Sequence, residues 1–262
     1  MRKFLIRSSF VAVPIIIFLT VLEWQLRQIP NDYSYKRAYL DNYAEQMELL
    51  ILGSSLSWSG LDPSLFKAQC YNAGFQGQTL YYDRLIFEKY KNDWKQLDDV
   101  LLTVFYPSME YRMHEVAEVR EANYSIHCDA FPPKMLFPNY NGVQILRMFR
   151  NYLQDSRAFI DSDSLGFGLK DRVTPETRAA QAKRLAIQHT RQNSKHRKFN
   201  EAQLKKLAQL VQQVGADLWI VVHPAQTNYR EHISEEQLEF LMNSCRKVSE
   251  GNPDVHLVDY FD

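Results

Sequence analysis

Residues 48–63 read ELLILGSSLSWSGLDP, and the fold turns on how this stretch is read. Residues 48–52 form a short apolar run of strand length, bounded by Gly53. Two readings of the following turn are open. Gly53-Ser54-Ser55 can lead into a serine-capped helix, or it can hold a nucleophilic serine at the tip of a strand. A serine hydroxyl is a weak nucleophile; it needs a base within hydrogen-bond reach and donors for the oxyanion that forms. A strand–turn–helix layout supplies the donors, because a helix start offers unpaired backbone N–H groups and a favourable dipole.

Outward from this stretch, short apolar runs recur at 70–73 (CYNA), 100–104 (VLLTV), 218–222 (LWIVV) and 255–258 (VHLV). Helical segments separate them. The spacing predicts helices over 63–68 and 80–90. A third follows Asn200 as cap, with Leu204, Leu207, Val211 and Val214 at helical spacing and Gly215 as stop. Ser234-Glu-Glu-Gln237 is a capping-box signature that opens a fourth, with Leu238, Leu241, Cys245 and Val248 on one face. Strands alternating with amphipathic helices predict an α/β fold with a parallel sheet covered on both faces. Sites in such folds gather beyond the carboxyl ends of the strands. Three polar turns converge there: 53–55, 74–79 and 105–108. Residues 105–199 break the rhythm and read as a long insertion carrying helices and a loop. No Walker motif or GxGxxG occurs, so nucleotide binding has no support.

The N-terminus carries an apolar run from Phe10 to Leu22, preceded by Arg2, Lys3 and Arg7 and followed by Trp24. About 20 mostly apolar residues span a bilayer. No small-x-small cleavage site follows, so residues 1–25 read as an uncleaved signal anchor; a cleaved signal peptide and a buried core helix are the other readings. The positive-inside rule puts the N-terminus in the cytoplasm and the remainder outside, periplasmic or extracytoplasmic. Residues 26–46, polar and tyrosine-rich, read as a juxtamembrane linker or lead-in helix, and 47–262 as the α/β domain.

Composition excludes some classes. An apolar fraction of 45% and an aromatic fraction of 13% are those of a globular chain. Lys plus Arg and Asp plus Glu are both 31, so nothing calls for nucleic acid as partner. Cys70, Cys128 and Cys245 form no CxxC pair, so neither a metal site nor a disulfide framework is expected. The basic tract of Lys183, Arg184, Arg191, Lys195, Arg197 and Lys198 reads as a solvated helix face and loop, with anionic lipid or an acidic polysaccharide as the alternative. Trp58, Tyr81, Tyr82 and Tyr106 are either aromatic core or a sugar-stacking platform.

ELLILGSSLSWSGLDPSLF, CYNAGFQGQTLYYDRLIFEKY and VLLTVFYPSMEY, in that order, resemble the SGNH/GDSL hydrolase-like superfamily. The similarity is greatest to its membrane-anchored envelope O-acylation type, such as D-alanine transfer proteins and alginate or exopolysaccharide O-acetylation proteins. It covers roughly residues 48–110, and residues 200–262 by general pattern. The resemblance implies a flavodoxin-like three-layer parallel sheet. It makes Ser55 the nucleophile and Gly77 the second-block glycine whose N–H holds the oxyanion, with Asn72 and Gly74 leading to it. No cofactor is implied. The implied partners are an inner-membrane acyltransferase and a cell-envelope glycan. The activity implied is ester hydrolysis or O-acyl (O-acetyl) transfer.

Two departures stand out. The third block lacks the usual asparagine, so either Tyr106 or Ser108 donates to the oxyanion or nothing in that block does. The family's Asp-x-x-His after the last strand does not occur in residues 1–262. His223, at the end of the 218–222 run, is the nearest substitute base by topology; an ordinary loop histidine is its other reading, and His256 within its strand reads as structural. Either the protein continues into the missing block or it has lost its base. In the second case the domain is an inactive scaffold in an envelope-assembly complex.

Overall fold

The computed structural model describes residues 1–113, 118–169, 175–190 and 195–261. Arg191 of the basic tract and Asp262 lie outside the described residues, as do the side chains of Arg2 and Lys3. By its contacts the chain divides into two compact units. One comprises residues 1–35 and 118–160, the other residues 36–117 and 161–262.

The first unit contains α1 (Arg2–Arg27), the start of α2 (Asp32–Tyr43), α5 (Glu118–His127) and α6 (Gly142–Gln154). Within α1, Arg7–Arg27 is long and apolar enough to cross a membrane. Its outward apolar residues are exposed, whereas Leu26, and Ile29 just beyond the helix, are buried against Ala122 and Leu136. Asn141 and Gln144 form a reciprocal capping box at the start of α6.

The second unit is built on a five-stranded parallel sheet: β1 (Leu49–Leu52), β2 (Cys70–Asn72), β3 (Asp99–Val104), β4 (Asp217–Val222) and β5 (Val255–Asp259). The spatial order is β2-β1-β3-β4-β5. Leu52 pairs with Leu102, and Val104 with Val222, so the ends of β1, β3 and β4 lie side by side. Helices α3 (Ser55–Gly60), α4 (Leu80–Lys89), α7 (Pro175–His189), α8 (Arg197–Val214), α9 (Thr227–Arg230) and α10 (Glu235–Glu250) complete the unit. Helix α4 packs on α8, and α8 and α10 lie against the sheet. All four β1 residues are buried, which is why that run is continuously apolar.

Three local expectations are corrected. Residues Pro63–Leu65 make only a single 3-10 turn, with Asp62 capping Ser64 N–H, instead of a helix over 63–68. Helix α8 begins at Arg197, so Asn200 sits inside it; its buried amide instead donates to the Met109 and Tyr111 carbonyls. The sheet is not covered on both faces throughout. On β4, Leu218, Ile220 and Val222 are buried, but Trp219 is 37% exposed and lies against His256 of β5. His256 Nε2 meets Asp217 at 3.3 Å.

Candidate active site

The sheet reverses direction at β1: β2 lies to one side, and β3, β4 and β5 follow on the other. The carboxyl ends of β1 and β3 therefore flank the switch point, where open parallel sheets leave a crevice. Gly53-Ser54-Ser55 leaves β1 at that place. Gly53 has φ +123°, and a Cβ there would stand 2.3 Å from Thr103 Oγ1 and 2.4 Å from Ser57 Oγ. Only glycine fits. Beneath the turn, Ser57 Oγ meets Thr103 Oγ1 at 2.7 Å and the Leu52 and Ser54 carbonyls at 3.1 and 3.2 Å. Ser57 is thus a structural serine. Ser55 is the first residue of α3 and is half-buried. Its N–H, like that of Leu56, opens the helix without an intrahelical partner.

The β2–α4 loop is tied to this turn. Phe75 N–H donates to the Gly53 carbonyl at 3.1 Å. Gly53 N–H donates to Asp83 Oδ1 at 2.8 Å, and Gln78 Nε2 donates to the same oxygen at 2.6 Å. Gly77 lies between Phe75 and Gln78, so both its sides are anchored to the Gly53 turn. It is exposed, with φ +69°. Asp83 is fully buried on α4, and burial pushes its carboxyl up to about 7, against the pull of its two hydrogen bonds.

Asn72, Trp58 and Tyr106 are buried. Asn72 Nδ2 donates to the Ser57 and Leu61 carbonyls, closing the end of α3, and its Oδ1 accepts Gly74 N–H. Trp58 is 1% exposed, and its indole N–H donates to Ser162 Oγ. Tyr106 and Tyr82 are buried as well, so Trp58, Tyr82 and Tyr106 are aromatic core, and Tyr81 alone of the four is half-exposed. Tyr106 Oη accepts Ser234 N–H and meets Thr190 Oγ1 at 2.9 Å, so it does not point a free donor at Ser55. Ser108 Oγ accepts Phe105 N–H at 3.0 Å and keeps its own hydroxyl proton. Lys183, Arg184, Lys195 and Lys198 of the basic tract are exposed, while Arg197 pairs with Glu110 and Glu236.

His223 follows β4. Its N–H donates to the Val104 carbonyl, and its Cε1 lies 3.8 Å from where a Gly60 Cβ would stand. The ring thus reaches across the end of β3 to the far end of α3. Gly60 lies five residues beyond Ser55 on α3, a rise of about 7.5 Å along the helix. No hydrogen bond joins Ser55 to an imidazole among the described residues. Among the described residues, His223 Nε2 and Ser54 Oγ are buried without a hydrogen-bond partner, which is uncommon in a native interior.

A second histidine lies at the same sheet edge, unsuspected from the sequence. His189, at the end of α7, meets Tyr229 Oη through Nδ1 at 2.8 Å, and Phe105 packs on it edge-on. Gln237 Nε2 donates to its carbonyl. Burial holds both His189 and His223 below the ordinary imidazole value, so both are neutral at pH 7. The QHT tract containing His189 reads as polar helix end, and nothing local marks it. Asp83 likewise hides in an ordinary first helical turn.

Lys36 braces the site from α2. Its buried ammonium donates to the Asn72, Gly74 and Gly166 carbonyls at 2.6, 2.9 and 2.6 Å. No group of three or more metal-ligating side chains occurs among the described residues. In comparisons with known proteins, no family model and no curated protein matches this chain.

Proposed function

We propose that residues 53–55 form the nucleophile turn of an SGNH/GDSL-like serine esterase or O-acyl(acetyl)transferase on a flavodoxin-like sheet. One observation carries the reading. A half-exposed serine heads a helix at the switch point of a parallel sheet, on a glycine-locked turn bolted to a second glycine loop. Ser55 Oγ attacks the carbonyl carbon of an acyl ester, and the N–H groups of Ser55 and Gly77 receive the oxyanion. A neutral imidazole takes the serine proton and returns it to the leaving alkoxide as the ester C–O bond breaks. The acyl group on Ser55 then passes to a hydroxyl of a cell-envelope glycan, or to water. His223 is the base of first choice by topology, and His189 is the alternative on its oriented Nδ1. Ser54 Oγ, buried without a partner among the described residues, could donate its hydroxyl to a bound ester carbonyl. The α1 helix fits an outward-facing anchored domain that receives acyl groups from a membrane-bound acyltransferase.

The missing Ser55–imidazole hydrogen bond favours a second reading, an inactive scaffold in an envelope-assembly complex. Labelling of the full chain with a fluorophosphonate separates the two. Labelling lost in Ser55→Ala and kept in Ser57→Ala supports the esterase reading. Unlabelled wild type, or labelling that survives Ser55→Ala, overturns it.

A further inference from the structure

The first unit carries an apolar surface that the proposed chemistry does not use. It starts where α1 leaves its apolar stretch. The Glu23 carboxylate accepts the N–H groups of Leu136 and Phe137 at 2.9 and 3.0 Å and pairs with Arg27 at 2.7 Å. Arg27 also donates to the Lys134 carbonyl. These bonds fix the 131–137 loop to the last turns of α1, on the level of Trp24, which is 58% exposed. Two large apolar side chains of that loop point outward: Phe131 is 85% exposed and Met135 54%.

Helix α6 continues the surface. Its inner face, Ile145, Met148, Phe149 and Tyr152, packs into the core around Leu26. At 100° per residue, Val143, Leu146, Arg150 and Leu153 share the opposite face, with Arg147 beside them. Leu146 is 71% exposed and Leu153 83%. An amphipathic helix in water turns polar residues outward; this one turns leucines outward with arginines between them. Arg147 and Arg150 form no ion pair among the described residues. Arginine interleaved with bulky apolar side chains suits a phospholipid interface, where the apolar groups sink and the guanidinium groups meet phosphate. A protein partner has no such call for a fixed level beside α1.

We propose that Phe131, Met135, Val143, Leu146 and Leu153 rest in the outer membrane–water interface beside α1, with Arg147 and Arg150 on lipid phosphate. The inference rests on α1 crossing the bilayer and is independent of Ser55. The unit is then seated on the lipid surface rather than hung from a flexible stalk.

Photocrosslinking of the full chain tests it, in nanodiscs of phosphatidylethanolamine and phosphatidylglycerol. A benzophenone amino acid is placed singly at 131, 146 and 153, at Ile16 of α1 as lipid reference, and at exposed Ser156 as solvent reference. The expected result is lipid adducts at 131, 146, 153 and 16, and none at 156. Leu146→Asp with Leu153→Asp should remove the adduct at 131 and leave that at 16. Arg147→Gln with Arg150→Gln should remove any preference for phosphatidylglycerol at 146. Crosslinks from 146 or 153 to a second copy overturn the proposal, as does lipid adduct at 16 alone. Absence of adduct at 16 overturns its premise.

Discussion

Gly53 donates its backbone N–H to the buried Asp83 carboxyl at 2.8 Å, across a separation of 30 residues. That bond, with the Gln78 amide on the same oxygen, joins the two loops that carry Ser55 and Gly77. Asp83 therefore fixes the geometry of the turn that carries Ser55.

Asp83 makes stability depend on pH in an unusual direction. Its folded value, about 7, lies above that of an unfolded aspartate, about 4, so the folded state holds the proton more tightly. Stability is then highest below about pH 4, falls between about 4 and 7, and is flat above, as far as this group is concerned. The slope within the window approaches about 1.4 kcal/mol per pH unit. Asp83→Asn keeps an acceptor for both donors and should flatten the curve. Thermal unfolding of the full chain in detergent at pH 4.5, 6 and 8 measures this; an unchanged slope in the variant refutes the assignment.

Gly53→Ala and Gly77→Ala should differ sharply. The first drives a methyl into Thr103 and Ser57 in a conformation that side chains avoid, and should cost more than about 3 kcal/mol or abolish folding. The second adds a methyl on an exposed turn at φ +69° and should cost about 1–2 kcal/mol. Melting temperatures of the two variants decide the matter.

The serines should separate folding from chemistry. Ser57→Ala leaves Thr103 Oγ1 short of its 2.7 Å partner in a buried site, a loss of about 1–3 kcal/mol. Ser55→Ala removes a half-exposed hydroxyl and should change stability by less than about 0.5 kcal/mol, while abolishing fluorophosphonate labelling.

Lys36→Met removes the one ammonium shared by the Asn72, Gly74 and Gly166 carbonyls. Three acceptors then lose a charged donor, and the cost should be about 3–5 kcal/mol. Faster amide exchange at residues 71–75 and 163–168 than in the wild type is the local signature; unchanged exchange there would show that the carbonyls hold without it.

The pH profile of labelling reports the base. Burial depresses both imidazoles, so the neutral form persists below the ordinary value of about 6.5. The labelling rate should hold its plateau at pH 6.5 and fall only in more acid solution. His223→Gln and His189→Gln tell the two rings apart, since only loss of the acting base removes the acid limb. Each depressed histidine also favours the folded state more as pH rises through its folded value toward about 6.5.

Much of the sheet was legible because its strands are largely buried: LLIL is wholly buried, and VLLTV is apolar but for Thr103. The Ser234 cap was legible because its signal is local, within four residues. Asn200 misled for the opposite reason, since an asparagine signals a cap only if its amide has no better partner, and here two carbonyls from the β3 side supply one. The partners of Trp58 and Asn72 were not legible for the same cause: Ser162 and the end of α3 claim their polar atoms from distant parts of the chain.

By itself the sequence determined the alternation of strands and helices, the apolar N-terminal helix and the glycine–serine turn after β1, because each is a pattern written in neighbouring residues. Tertiary structure alone decided which polar groups meet at that turn. Asp83 and Thr103, from separate elements, meet Gly53 and Ser57 there, while burial and not local spacing sets the direction in which Asp83, His189 and His223 titrate.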